Sequence, residues 1–139
     1  MTAFQTITLN DGQGTPVAHT FKARRIDAGI AKWQDVSSGV AQGFITVTAS
    51  LREPVKGSKI PTYKAELNLY YPKLETYNAE TYNGITPAPA KAYDCVAKLT
   101  FLLPERSSTS DRQDIRAFMA NALAQSDIKA MIEDLDFVF

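Results

Sequence analysis

The apolar residues of this chain keep one period up to Pro104 and another beyond it, and that switch limits the folds open to it. Residues 44–53 read FITVTASLRE, with Ile45, Val47, Ala49 and Leu51 alternating with Thr46, Thr48, Ser50 and Arg52. Successive side chains of a strand point to opposite faces, so this segment predicts a strand with one apolar and one polar face. Residues 62–71, TYKAELNLYY, repeat the pattern: Tyr63, Ala65, Leu67 and Leu69 alternate with Thr62, Lys64, Glu66 and Asn68. In residues 92–103, Tyr93, Cys95, Ala97, Leu99, Phe101 and Leu103 share one parity, and Asp94, Val96, Lys98 and Thr100 the other. Upstream, residues 4–9 and 17–25 predict two more strands, joined by a hairpin turn at NDGQG (10–14), whose residues tolerate positive φ. Residues 29–36, GIAKWQDV, form a third candidate strand, too short to exclude a helical turn.

After Pro104 the spacing becomes helical. Ser110 and Gln113 suit a capping box, and Ile115, Phe118, Met119, Ala122 and Leu123 then share one helix face. Ser126-Asp127 suggests a second cap, followed by Ile128, Met131, Ile132 and Leu135 at the same spacing. The apolar end, Phe137-Val138-Phe139, should be tied down. The expected fold is α+β, with an N-terminal β-hairpin and antiparallel β-sheet followed by two C-terminal α-helices in one domain over residues 1–139. Residues 72–90, with three prolines and the imperfect repeat ETYNA, ETYNG, read as a long loop of the kind that often carries function.

At 139 residues the chain is long enough for roughly two-thirds of its surface to be buried on folding, so a core without staples is expected. Yet two short amphipathic helices cannot comfortably cover one apolar face of a five- or six-stranded sheet. A dimer whose helices cross onto the partner's sheet removes the shortfall. Ile115, Phe118, Met119 and Leu123 should then be buried against the partner's sheet as well as their own.

One cysteine and one histidine exclude an intrachain disulfide and a His/Cys zinc site within the chain. Cys95, on an apolar parity, reads as a small buried hydrophobe, and His19, among Val17, Ala18 and Phe21, as structural. Glu133, Asp134 and Asp136 read as a solvated helix end, and Gly12 and Gly14 lack the Lys and Ser/Thr of a phosphate loop. No enzyme, cofactor, metal or small-molecule substrate is therefore expected. The N-terminus lacks the pattern of a signal peptide, and no apolar run approaches the ~20 residues of a membrane helix, so a soluble, cytosolic chain without a membrane partner is expected.

Charge balances at 15 basic against 15 acidic residues, but unevenly. Residues 105–139 carry a net of −3, whereas between residues 44 and 73 Arg52, Lys56, Lys59, Lys64 and Lys73 face only Glu53 and Glu66. The polar face of the central strands admits two readings. It is a solvated sheet face rich in threonine for strand propensity, or a platform for RNA on which cations hold phosphates, hydroxyls and amides read base edges, and a nearby tyrosine offers a stacking ring. Composition alone leaves both open.

Five segments resemble the coat proteins of the single-stranded RNA bacteriophages, the leviviruses: GIAKW (29–33), VTASLRE (47–53), TYKAELNLYYP (62–72), LTF (99–101) and SSTSDRQDIRAFMANALA (107–124). Each is weakly specific, and their order along nearly the whole chain carries the likeness. The resemblance implies an intertwined dimer with one continuous sheet, each subunit's helices packed on its partner, and assembly into an icosahedral shell with helices outward and the sheet facing viral RNA. It implies a virion protein assembled in the host bacterial cytoplasm. Tyr77, Tyr82, Asn83 and Pro87 fall in the loop that makes contacts between dimers in that family; it has no cysteine here, so shell stability should not depend on disulfides.

The family's dimer also binds an RNA hairpin at the start of the replicase gene, repressing translation and marking the genome for packaging. By the resemblance, Thr48, Ser50 and Arg52 match hairpin contacts on one strand and Lys64 and Glu66 on the next; Thr46, Thr62 and Lys98 extend that face. Lys56 and Lys59, in a turn that aligns poorly, are expected at phosphates by charge. Tyr93 is the candidate RNA-stacking residue on the last strand, although matching LTF puts Asp94 or Val96 near the family's stacking tyrosine and Tyr93 on the opposite parity unless a bulge intervenes. The alternatives are a small dimeric RNA-binding translational regulator that forms no shell, and a hydrolase using the acidic C-terminal helix.

Overall fold

A computed structural model describes residues 2–76, 88 and 90–137. Six antiparallel strands form a meander in sequence order: β1 (Ile7–Asn10), β2 (Ala18–Asp27), β3 (Ile30–Asp35), β4 (Ile45–Arg52), β5 (Thr62–Leu74) and β6 (Lys91–Pro104). Helices α1 (Thr109–Leu123) and α2 (Ser126–Glu133) follow. The expected α+β order is present, and residues 29–36 contain a strand. The inter-dimer loop residues Tyr77, Tyr82, Asn83 and Pro87 lie outside the described residues, as do Val138 and Phe139.

The strand ends differ from the sequence reading for local reasons. The first strand begins at Ile7 rather than at residue 4, because Phe4 and Gln5 are held by Trp33 of β3. The Trp33 indole N–H donates to the Gln5 carbonyl at 2.8 Å, and the Phe4 and Trp33 rings meet edge-on with centroids 5.2 Å apart. The β1–β2 loop does not use the left-handed freedom of Gly12 or Gly14. Asp11 organises it instead, its carboxylate accepting from the Gln13 and Val17 amides at 3.3 and 2.9 Å. Positive φ occurs at the β2–β3 connection, where Ala28 (49°) and Gly29 (78°) form the two-residue turn that antiparallel strands favour.

Strand β5 continues through Pro72, which has no N–H to donate. Its pairing to β4 has ended at Tyr70, so Pro72 pairs only with β6 and lies where the missing donor is tolerated.

Helix α1 starts two residues earlier than expected. The capping box is made by Ser108 and Asp111, not Ser110 and Gln113: Ser108 Oγ accepts from the Asp111 amide and the Asp111 carboxylate from the Ser108 amide, both at 3.1 Å. Helix α2 is capped from Gln125 without a side-chain bond, so Ser126 and Asp127 form its first turn. Leu135 lies past its end at φ 57°.

The single chain builds little core. Phe21 and Val47 are its buried apolar side chains among the described residues. Neither helix packs extensively on the sheet of its own chain, so Ile115, Phe118, Met119 and Leu123 are not buried against it. Cys95, expected inside, is exposed because its face of the sheet is uncovered. A compact monomer of this mass exposes about 7,100 Å² by size scaling, whereas this chain exposes 11,227 Å². No helix is long and apolar enough to cross a membrane, among the described residues.

Candidate nucleic-acid interface

Pairing register arranges the polar parity into ranks across the sheet. Lys32, Thr48, Asn68 and Lys98 stand abreast on β3 to β6; Ser50, Glu66 and Thr100 form the next rank, and Arg52 faces Lys64 beyond it. On the other side of that first rank stand Gln34, Thr46, Tyr70 and Val96. Thr46, Thr48, Ser50, Arg52, Thr62, Lys64, Glu66 and Lys98 thus share one face. Lys56 and Lys59 lie exposed in the β4–β5 turn beyond its end.

Side chains on this face are cross-linked but accessible. Gln34 Nε2 donates to Thr46 Oγ1 at 3.3 Å and Asn68 Nδ2 to Thr48 Oγ1 at 3.5 Å. Arg52 directly opposite Lys64 is an unfavourable like-charge pair. Glu66 relieves it by an ion pair with Lys64. That hydrogen bond, then the charges of Lys64, Arg52 and Lys98, hold the Glu66 carboxyl below its ordinary pKa. The rank keeps a cationic excess around one ionised carboxylate, a surface suited to phosphates with hydroxyl and amide donors beside them.

Tyr93 does not join this face. It stands opposite Lys73 on the apolar parity, and the bulge near this end lies beyond it, between Lys73 and Leu74, so no slip carries it across. The aromatic side chain on the polar parity is Tyr70, beside Thr46, with Asp94 and Val96 on β6. Sequence reading also missed Lys32 and Gln34, because irregular apolar spacing in residues 29–36 left their parity unassigned.

A second polar cluster lies at the sheet's other end. His19 Nδ1 is 2.9 Å from Asp35 Oδ2 and His19 Nε2 is 3.1 Å from Asp11 Oδ2, tying β2 to β3 and to the β1–β2 loop. The hydrogen bond with Asp35, then that with Asp11, raises the imidazole pKa against a smaller opposing effect of burial. Burial opposes ionisation of Asp35, but hydrogen bonds from His19 and Ser37 outweigh it and leave its pKa lowered. The Val17 amide, then His19, lower that of Asp11. Both ring nitrogens face carboxylates, an arrangement that satisfies an imidazolium and leaves no free nitrogen for base catalysis.

The profile of the levivirus coat proteins matches residues 2–139. The chain is 31% identical over 119 residues to the capsid protein of Pseudomonas phage PRR1, covering 86% of this chain and 84% of that protein. Its fold is similar to that in the virus-like particle of bacteriophage ESE058, with TM-score 0.87 and 36% identity over 97% of this chain and 98% of that one. The capsid protein of bacteriophage GA shares the fold at TM-score 0.70 and 22% identity, over 94% of this chain and 95% of that one. Match length, sequence identity and shared six-strand, two-helix order together make this chain a member of the levivirus coat protein family.

Proposed function

We propose that this chain is a structural capsid protein that dimerises, assembles into an icosahedral shell and binds viral single-stranded RNA on the polar face of its sheet. The observation that carries this reading is the division of the sheet: cations and short polar side chains rank on one face, while the other face and the apolar stripes of both helices are left uncovered by the chain itself. An excess of roughly 4,000 Å² over a compact monomer suits a large, obligate interface. Exchange of helices with a second copy would cover the apolar face and leave the cationic face open. The virus-like particles formed by relatives of the same fold support assembly into a shell, and so a place in the virion.

Among RNA ligands, a hairpin at the replicase start, bound for packaging and translational repression, fits the family and the mixture of cations with base-reading groups. Phosphates would meet Arg52, Lys64, Lys98, Lys56 and Lys59; Thr46, Thr48, Ser50 and Thr62 would meet sugar and base edges, with Glu66 accepting from base amines. The test is to express the chain in bacteria and examine the product by size-exclusion chromatography and negative-stain microscopy. Closed shells containing RNA are expected. A particle no larger than a dimer under assembly-favouring conditions, still binding RNA, would identify a dimeric regulator instead.

A further inference from the structure

Two hollows adjoin where β6 meets α1, with Pro104 and Ser107 in the lining of both. On the apolar side, Leu51, Tyr63 and Leu103 line a cavity of about 460 Å³ together with Glu105 and Arg112. Beside it, at the end of the strand pair where Thr62 of the polar parity faces Pro104, Lys59, Ile60, Pro61 and Arg106 line an open cavity of about 560 Å³. Glu105 and Arg106 are neighbours in sequence, but Glu105 lines the first hollow and Arg106 the second. The second hollow therefore has two cations and no acidic residue in its lining. Neither Lys59 nor Arg106 has a carboxylate partner among the described residues.

The backbone carrying Arg106 is fixed on both sides. The Glu105 amide donates to the Pro61 carbonyl at 2.9 Å, which joins this junction to the start of β5. The Ser107 amide and hydroxyl both donate to the Pro104 carbonyl, at 2.9 and 2.6 Å. Arg112 reaches back from α1 to the Ser107 carbonyl at 2.6 Å and to the Thr109 hydroxyl at 3.2 Å. Two arginines of the acidic C-terminal third thus have different tasks: Arg112 uses its donors inside the protein, and Arg106 keeps its donors free.

We infer that Lys59 and Arg106 form a clamp for an RNA backbone phosphate at the rim of the polar face, beyond Arg52 and Lys64. This rests on the RNA reading of that face and extends it onto a residue outside the strands. A planar guanidinium offers paired donors to a phosphate, and Lys59 adds a mobile point charge from the facing turn. The contact is to the backbone, so it strengthens binding without choosing sequence.

The experiment measures affinity of the assembled-competent protein for a short oligouridylate against salt, for wild type and Arg106→Ala, Lys59→Ala, Arg106→Lys, Arg52→Ala and Arg116→Ala. Arg106→Ala should reduce the magnitude of the salt slope by about 1, Lys59→Ala likewise, and Arg106→Lys should largely restore it. Arg116, exposed on α1, is the control for bulk charge and should leave the slope unchanged. If Arg52→Ala weakens binding and Arg106→Ala does not, the clamp is wrong and the polar-face reading stands. Equal losses from Arg106→Ala and Arg116→Ala would also overturn it, since bulk charge would then suffice. A wild-type protein that does not bind, or one whose slope none of these substitutions changes, would remove the RNA reading itself. Circular dichroism and particle size of each variant confirm folding; a variant that loses assembly but keeps RNA affinity would make Arg106 an interface residue and end the proposal.

Discussion

Two clusters of charge sit at opposite ends of the sheet and should respond to different variables. Around His19 the variable is pH. Its folded pKa is raised, so its contribution is complete below about 6.5 and is lost as pH rises through the higher folded value. Asp11 and Asp35 have lowered values, so theirs is complete above about 4 and is lost as pH falls through the folded values. The tie between the first hairpin and β3 is thus strongest in the window between those pKa values. Denaturant midpoints measured across pH should fall on the alkaline side for wild type, and His19→Gln should flatten that limb; an unchanged limb in the variant would show that the cluster does not set it. On the polar face the variable is salt. Replacing Arg52 or Lys64 by Ala should weaken binding of many RNA sequences and lower the magnitude of the salt slope by about 1. Thr48→Ala or Ser50→Ala should instead reduce discrimination between hairpins at fixed salt, and titrations with a cognate and a scrambled hairpin distinguish the two effects. The cationic face was legible because alternation on residues 44–53 and 62–71 is unbroken. The His19 cluster was not, since its members lie 8 and 16 residues apart and meet only once the strands pair.

The strands announced themselves by period, but their ends obey groups that period cannot see. Residues 10–14 looked like the tight hairpin because they are rich in glycine, yet the two-residue turn formed at Ala28-Gly29. There the short connection forces positive φ on an alanine. An L-residue in that region is strained by about 1–2 kcal/mol, and asparagine tolerates it better. Ala28→Asn should therefore stabilise the protein by about 0.5–1 kcal/mol, read as a rise in denaturant midpoint at constant slope. A fall would mean that the turn depends on something other than its dihedral preference. The helix start was misread in a similar way. The spacing of Ser110 and Gln113 suggests a cap at Ser110, but the reciprocal bonds with Asp111 belong to Ser108. Ser108→Ala should cost about 1 kcal/mol and Ser110→Ala much less. The face of Tyr93 likewise depended on where a bulge fell, which no pattern of side chains fixes in advance.

Balance of exposed surface decides what the folded unit is. Phe118 is 71% exposed in the single chain, and Ile115, Met119 and Leu123 beside it are also open. The sequence reading expects these residues to be buried against both the partner's sheet and their own, and the single chain does not bury them on its own sheet. In the proposed dimer a second copy supplies the cover that neither helix finds on the chain's own sheet. The two possibilities differ in magnitude. On an isolated monomer, Phe118→Ala is a surface substitution within about 0.5 kcal/mol of neutral. In a dimer whose helices lie on the partner's sheet, it is a large-to-small core change costing about 3–5 kcal/mol. Folding would then be coupled to association, so the wild-type denaturation midpoint should rise with protein concentration. The decisive measurement is equilibrium unfolding of assembly-blocked dimers over a wide concentration range, for wild type and Phe118→Ala. A concentration-independent transition with a near-neutral substitution would mean that the chain folds alone and leaves its apolar stripe in water, and the exchange of helices would have to be abandoned.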